Sequence, residues 1–213
     1  MTADDWVSGK IGNYALDFDG SNDWIPVNTL ASYFVNSSYT ISTWFQANGA
    51  NHHKFMFSIH LGGSNRLGMG IYNNKFDYAW TGNGHDLSAT TVNDDSWYHG
   101  TLVYDKVAGK GYIYVNGNLE NTIAMGIIAS ADRVSIGQEW DSSNSDFFKG
   151  KIDDMAVWNR ALSGTEISQI HSSVGGIDSI LNPVPEPMSL FTLLIVMALF
   201  GLKKNSPLTK WTK

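Results

Sequence analysis

Aromatic and β-branched residues come in short bursts along most of this chain, and polar turn residues separate them. The bursts are 24–27, 39–47, 55–60, 67–72, 76–80, 97–104, 111–115 and 133–138, with Gly, Asn, Asp and Ser between them. Runs of that length and composition predict strands. The sharpest hairpin signal is Asn116-Gly117 after the alternating stretch 110–115, because both residues accept the positive φ angles of a tight turn. Helix signals are rare. One helix is predicted over 164–172, with Ser163 as N-cap and Glu166 three residues on to complete a capping box. Many short strands at regular spacing predict an all-β sandwich or jelly roll.

The pattern changes after residue 182. Pro183, Pro185 and Pro187 punctuate a spacer, an uncharged apolar run follows at 188–202, and Lys203-Lys204 closes it. The prolines stop a helix from extending backwards. The run is shorter than the ~20 residues that span a bilayer comfortably. Yet it is apolar all round, which suits a membrane helix better than an amphipathic core helix. The paired lysines favour leaving that end in the cytoplasm. The division read here is a globular domain at 6–175, a Pro-rich linker at 176–187, an apolar membrane or sorting helix with a basic end at 188–204, and a polar tail at 205–213. Pro185-Glu186-Pro187, the apolar run and the basic end together resemble the PEP-CTERM sorting signal of exported bacterial proteins. The resemblance implies delivery to the cell envelope or extracellular matrix, with a membrane protease of the exosortase type acting near that motif. Cleavage and permanent anchoring both remain open. Residues 1–6 have neither a basic n-region nor an apolar h-region, so a leader missing from this sequence is expected.

Charge narrows the partners. Residues 1–182 carry ten basic and nineteen acidic side chains, whereas the tail carries four lysines and one glutamate. An acidic body argues against nucleic acid. Sixteen of the twenty acids are Asp, the acid of turns and of oxygen-rich metal loops. There is no cysteine, which excludes disulfides, zinc-thiolate sites and thiol catalysis.

Three segments carry a second resemblance. Residues 12–25, 39–45 and 150–163 resemble the opening strands, the following strand and the closing strand of LamG-like, concanavalin A-like jelly rolls, which implies an all-β, two-sheet antiparallel jelly-roll sandwich. Ile136-Gly137-Gln138-Glu139-Trp140-Asp141-Ser142 is similar to the calcium loop of the pentraxins within that group, and Ser64-Asn65 aligns with their other ligand pair. The resemblance implies a calcium site built from Asn65, Glu139, the Trp140 carbonyl, Asp141 and Asp146. A second, structural ion is expected where Asp19, Gly20 and Asp23 meet Asp153 or Asp154, since first and last strands are neighbours in this fold. Two adjacent acids on one strand cannot both face the core, so one of Asp153 and Asp154 must point outward or lie at a bulge.

Catalysis is not expected. Retaining glycoside hydrolysis needs two carboxyls about 5–5.5 Å apart, and the string from Glu139 to Asn144 lacks its closing acid. The histidines form no metal-binding or nucleophile motif and are expected to be ordinary surface or core residues. Aromatics are abundant, with eight Trp, nine Tyr and ten Phe. Tyr72, Tyr78, Trp80 and Trp140 lie beside Asn/Gly-rich or acidic loops and are the candidates for stacking on a sugar face. Trp24, Trp44, Trp97 and Trp158 lie in strand motifs and are expected in the core. The function read from the sequence is an exported, non-enzymatic surface or matrix protein that binds glycans or surface proteins with calcium. A structural or adhesive component without a discrete ligand is the alternative, and a glycoside hydrolase the second.

Overall fold

Two antiparallel sheets face each other, and side-chain alternation along their strands explains why. The computed structural model describes residues 3–51, 53–63, 65–80, 84–140, 143–177 and 194–195. One sheet runs in the order β1 (Trp6–Val7), β2 (Ala15–Asp19), β15 (Lys149–Trp158), β4 (Tyr39–Ala47), β9 (Trp97–Asp105), β10 (Lys110–Val115) and β11 (Asn118–Ala124). The other runs β3 (Ile25–Pro26), β12 (Arg133–Ile136), β5 (Lys54–Gly62), β6 (Asn65–Tyr72), β7 (Lys75–Trp80) and β8 (Gly84–Thr91). A small hairpin of β13 (Glu139–Trp140) and β14 (Asn144–Ser145) follows β12. The short helix α1 (Ala31–Phe34) links β3 to β4. This is the two-sheet antiparallel sandwich expected of the sequence.

The core lies between the sheets. Phe45 on β4 stacks on Phe76 of β7 at 5.6 Å and on Tyr98 of β9 at 5.8 Å. Tyr39 and Tyr78 are both fully buried, and their hydroxyls share a hydrogen bond of 2.6 Å. Each phenol thereby satisfies the polar group that burial would otherwise leave without water. Asn116 and Gly117 have φ of 50° and 79°, as the hairpin between β10 and β11 requires.

The first sheet is covered on its outer face too. Helix α2 (Gly164–Ser172) buries Ile167 and Ile170 against Val103, Tyr114, Ala156 and Trp158. The predicted capping box is present: Ser163 Oγ accepts from the Glu166 amide, and the Glu166 carboxylate accepts from the Ser163 amide at 2.8 Å. Arg160 holds the same carboxylate, and its side-chain hydrogen bond pulls the Glu166 carboxyl down to about 2.

A two-residue strand, β16 (Leu194–Ile195), pairs with Val157 and Trp158 of β15. The rest of the 188–204 run, expected to be a membrane helix, lies outside the described residues, as do Pro185, Glu186 and Pro187. No helix among the described residues is long and apolar enough to cross a membrane.

Candidate functional site

The second sheet has one face in the core and one face away from it. On β5, β6 and β7 the core takes Phe57, Ile59, Leu67, Met69, Ile71, Phe76 and Tyr78. The intervening positions therefore point outward: Ser58 and His60, Gly68, Gly70 and Tyr72, Asp77 and Ala79. Gly68 has a steric reason to be glycine. A Cβ there would lie 2.0 Å from the Phe55 ring, so only a bare backbone lets that ring lie on the sheet. The 139–145 hairpin is anchored beside it, because the Phe55 amide donates to the Asp146 carbonyl at 3.0 Å.

A groove opens where β3, β12 and β13 meet. Its volume is about 190 Å³, and Trp24, Asn28, Arg133, Ser135, Gln138 and Trp140 line it together with Val134. Both tryptophans are half-buried. The Arg133 guanidinium sits 4.0 Å from the centre of the Trp140 ring, a cation–π contact that orients the indole. The floor is polar and braced. Ser135 Oγ bonds Ser58 Oγ at 3.0 Å, donates to the Gln138 carbonyl at 3.1 Å and accepts from Gln138 Nε2 at 2.9 Å. Gln138 Oε1 is buried with no hydrogen-bond partner among the described residues. An acceptor in that position favours a ligand hydroxyl.

A larger groove of about 400 Å³ is lined by Asp4, Asp5, Asp17, Asp19, Asp23 and Asp95 with Lys149 and Lys151 among others. Among the described residues its only ring is Phe18, which is buried and gives no stacking platform.

The predicted residues divide. Glu139 is fully buried and forms a 2.5 Å ion pair with Arg66. Asp146 and Glu139 each place a carboxylate oxygen within 4.8 Å of a His53 nitrogen. Asn65 is exposed at the start of β6. Trp140 is half-buried, and Asp141 lies outside the described residues.

The second expected ion site does not assemble as drawn. Asp19 pairs across β2–β15 with Lys149, so Asp153 and Asp154 stand four and five residues further along the strand. Asp19 Oδ1 accepts the Ser21 and Asn22 amides, and these bonds hold its carboxyl below the usual range. Asp23 Oδ2 accepts the Asp19 amide at 3.0 Å. These carboxylates close their own turn, and Gly20 serves it with φ of 79°. Asp153 Oδ2 takes the Lys10 and Ile11 amides at 2.7 and 2.8 Å, and Asp154 Oδ2 takes the Ile177 amide at 2.9 Å. The expected bulge is there: register shifts between Asp153 and Ala156, and Asp154 has φ of 48°.

Among the stacking candidates, Tyr78 is corrected outright. It is 0% exposed and belongs to the core, because position 78 faces inward on β7. Trp80 is half-buried and packs partly against the core. Tyr72 is half-buried on the outer face, its ring stacked on His85 at 3.8 Å. Trp44 and Trp158 are buried as expected, but Trp24 and Trp97 are only half-buried. Trp24 lines the groove opposite its expected role. The histidines also depart from expectation: His53 and His85 converge on the buried carboxylate of Asp77. Their separation in sequence carries no signal of this, since strand register alone brings them together.

Residues 19–168 match the family model described as the concanavalin A-like lectin/glucanases superfamily. The chain belongs to that superfamily. No curated protein matches its sequence. Among solved structures it is similar to domain 4 of AbnA, a GH43 extracellular arabinanase from Geobacillus stearothermophilus, in complex with arabinotriose. There the TM-score is 0.63 at 17% identity, covering 77% of this chain and 79% of that one. It is similar to the CBM40 of the Ruminococcus gnavus IT-sialidase bound to α2,3 sialyllactose, with TM-score 0.63 at 17% identity, covering 74% and 95%. It is also similar to the native heptameric SAP-like pentraxin from Limulus polyphemus, with TM-score 0.59 at 19% identity, covering 76% and 82%. At these identities the likeness shows the fold, and the superfamily's chemistry must be argued from this chain's own residues.

Proposed function

We propose that this concanavalin A-like domain is a non-catalytic glycan-binding module exported to the bacterial envelope or extracellular matrix. The observation that carries the proposal is the groove between Trp24 and Trp140. It offers two half-buried indoles, an oriented guanidinium and a buried amide oxygen without a partner among the described residues. Sugar rings present C–H faces to aromatic rings and hydroxyls to amides and guanidinium groups. The oligosaccharides bound to two of the similar domains support the ligand class. Among the described residues no carboxylate lines the groove, and hydrolysis of a glycosidic bond commonly uses two.

The tail supplies the second half of the proposal. The motif Pro185-Glu186-Pro187, the apolar run and the closing lysines direct the chain to a membrane, with an exosortase-type protease as processing partner. Membrane fractionation of the producing cell tests it. A product found only in the soluble fraction with Lys213 intact removes this half.

Glycan-array binding of the full chain tests the first half. Trp140→Ala is expected to weaken the best binder at least ~10-fold, about 1.4 kcal/mol, while the domain stays folded because the half-buried ring is not part of the core cluster. A chelator arm addresses calcium through the acidic segment that keeps Glu139 and Asp146 together. Uniform weak retention on every glycan, unchanged by Trp140→Ala, would favour a structural role instead.

A further inference from the structure

Away from the groove, three side chains converge on the outer face of the second sheet. Asp77 on β7 and His85 on β8 lie on adjoining strands, with Ala79 opposite His85 in the register. His53 reaches them from the residue before β5. Asp77 Oδ2 is 2.7 Å from His85 Nδ1 and 3.6 Å from His53 Nε2. One donor atom from each of the three residues lies within 4.8 Å of the others.

Two further observations point to a ligand there. The Asp77 carboxylate is 0% exposed, and its Oδ1 has no hydrogen-bond partner among the described residues. His53 Nε2 is also buried and has none. A buried carboxylate is costly unless a cation or a set of hydrogen bonds compensates it. Among the described residues no lysine or arginine forms an ion pair with Asp77.

We propose that His53, Asp77 and His85 bind a divalent transition metal ion of the zinc class. Two imidazoles and one carboxylate favour such an ion over calcium, which takes six to eight oxygens. Tetrahedral zinc has bonds of about 2.0–2.2 Å to nitrogen and oxygen, which places its ligand atoms roughly 3.3–3.5 Å apart. The observed 2.7 and 3.6 Å bracket that spacing. The rings are already held. His85 stacks on Tyr72 at 3.8 Å and 8°, and His53 stands edge-on to His85 at 4.5 Å. His53 Nδ1 faces the Asp146 carboxylate at 3.7 Å, so Asp146 is placed to orient the ring through the nitrogen that does not bind metal. Three protein ligands leave a fourth position for water or a ligand oxygen.

The competing explanation is a metal-free ion pair between Asp77 and a protonated His85. Metal-stripped full-length protein is titrated with Co²⁺, then with Zn²⁺ in competition. One equivalent is expected to bind, giving the visible absorption of a four-coordinate cobalt site that zinc displaces. Zinc is expected to raise the melting temperature, as a ligand specific to the folded state does. His53→Gln and His85→Gln are each expected to weaken binding at least ~10-fold, the scale on which even an orienting partner of a metal ligand acts. Should either variant misfold by circular dichroism, crystals of the unaltered chain grown with zinc decide the matter. Anomalous density among the three side chains supports the site. Density only elsewhere, no density, or cobalt binding unchanged in both folded variants overturns it.

Discussion

Lowering the pH from 6.5 to 4.5 is expected to cost this domain roughly 2 kcal/mol through one buried histidine. His99 on β9 is 1% exposed beneath α2, where its Nε2 meets Ser42 Oγ at 2.8 Å. Its Nδ1 has no hydrogen-bond partner among the described residues. Burial, and then the neighbouring His171, lower its pKa from 6.5 to about 3. The other rings around it offer no negative charge: Trp44 lies at 5.2 Å and His171 at 5.7 Å, with the Lys10 amino group 5.1 Å from the Trp44 ring. His171 is lowered as well, by burial and then by Lys10, so it pulls the same way. The folded chain holds the His99 ring neutral while the unfolded chain binds a proton from 6.5 downward. Stability from this group is therefore fully present above 6.5 and is lost as pH falls toward about 3, where the loss reaches on the order of 4 kcal/mol. Glu166, drawn down to about 2, adds its own loss only below the ordinary carboxylate value of 4.5. Urea unfolding at several pH values between those limits reads His99 together with His171, and the difference from His99→Gln isolates His99. His99→Gln should flatten the slope. Equal slopes in the two proteins would mean that His99 titrates without cost in the folded state.

The strands and helix that bury a full face are the ones legible in the sequence. The predicted bounds of β4 and α2 coincide with the structure, and the Asn116-Gly117 turn sits where its φ angles require. Among the strands that the burst pattern does not mark, β8 and β11 end their sheets. Edge strands keep one side in water and carry polar side chains, so Asp86, Ser88, Thr90, Asn118, Glu120 and Asn121 look like loop. Opening and closing strands β2 and β15 were reached only through the family resemblance, since aspartates interrupt their alternation. For the site the limit is different. Trp24 reads as core because it falls in a strand motif, yet it stands just before β3, which is only two residues long and lies at a sheet edge. Tyr78 reads as a loop-side ring, but the β7 register turns it inward toward Tyr39. His53, Asp77 and His85 are scattered over three segments, and only strand pairing makes them one group.

Asp153→Ala is expected to destabilise the domain by about 2–4 kcal/mol, with or without calcium. The carboxylate is 1% exposed and ties the segment before β2 to β15 by accepting the Lys10 and Ile11 amides. Bonds from amides to a charged acceptor contribute about 1.5–3 kcal/mol each, and the variant leaves both donors to find other partners. Burial counts against the full sum. It pushes the Asp153 carboxyl up, and the two amides only partly offset that push. The backbone there has little room to compensate: a Cβ on Gly9 would lie 2.8 Å from Asp153 Oδ2 and 2.7 Å from the Tyr14 carbonyl. A loss of this size lowers the melting temperature of a domain of 150–250 residues by roughly 4–16 °C. The comparison that matters is the same measurement in chelator and in excess calcium. A structural ion ligated by Asp153 would make the loss large in calcium and small in chelator, because removing a ligand cannot matter once the ion is gone. An anchor for two backbone amides gives the same loss in both. The hydrogen bonds assign Asp153 to the second case, and a calcium-dependent difference between the two curves would return it to the first.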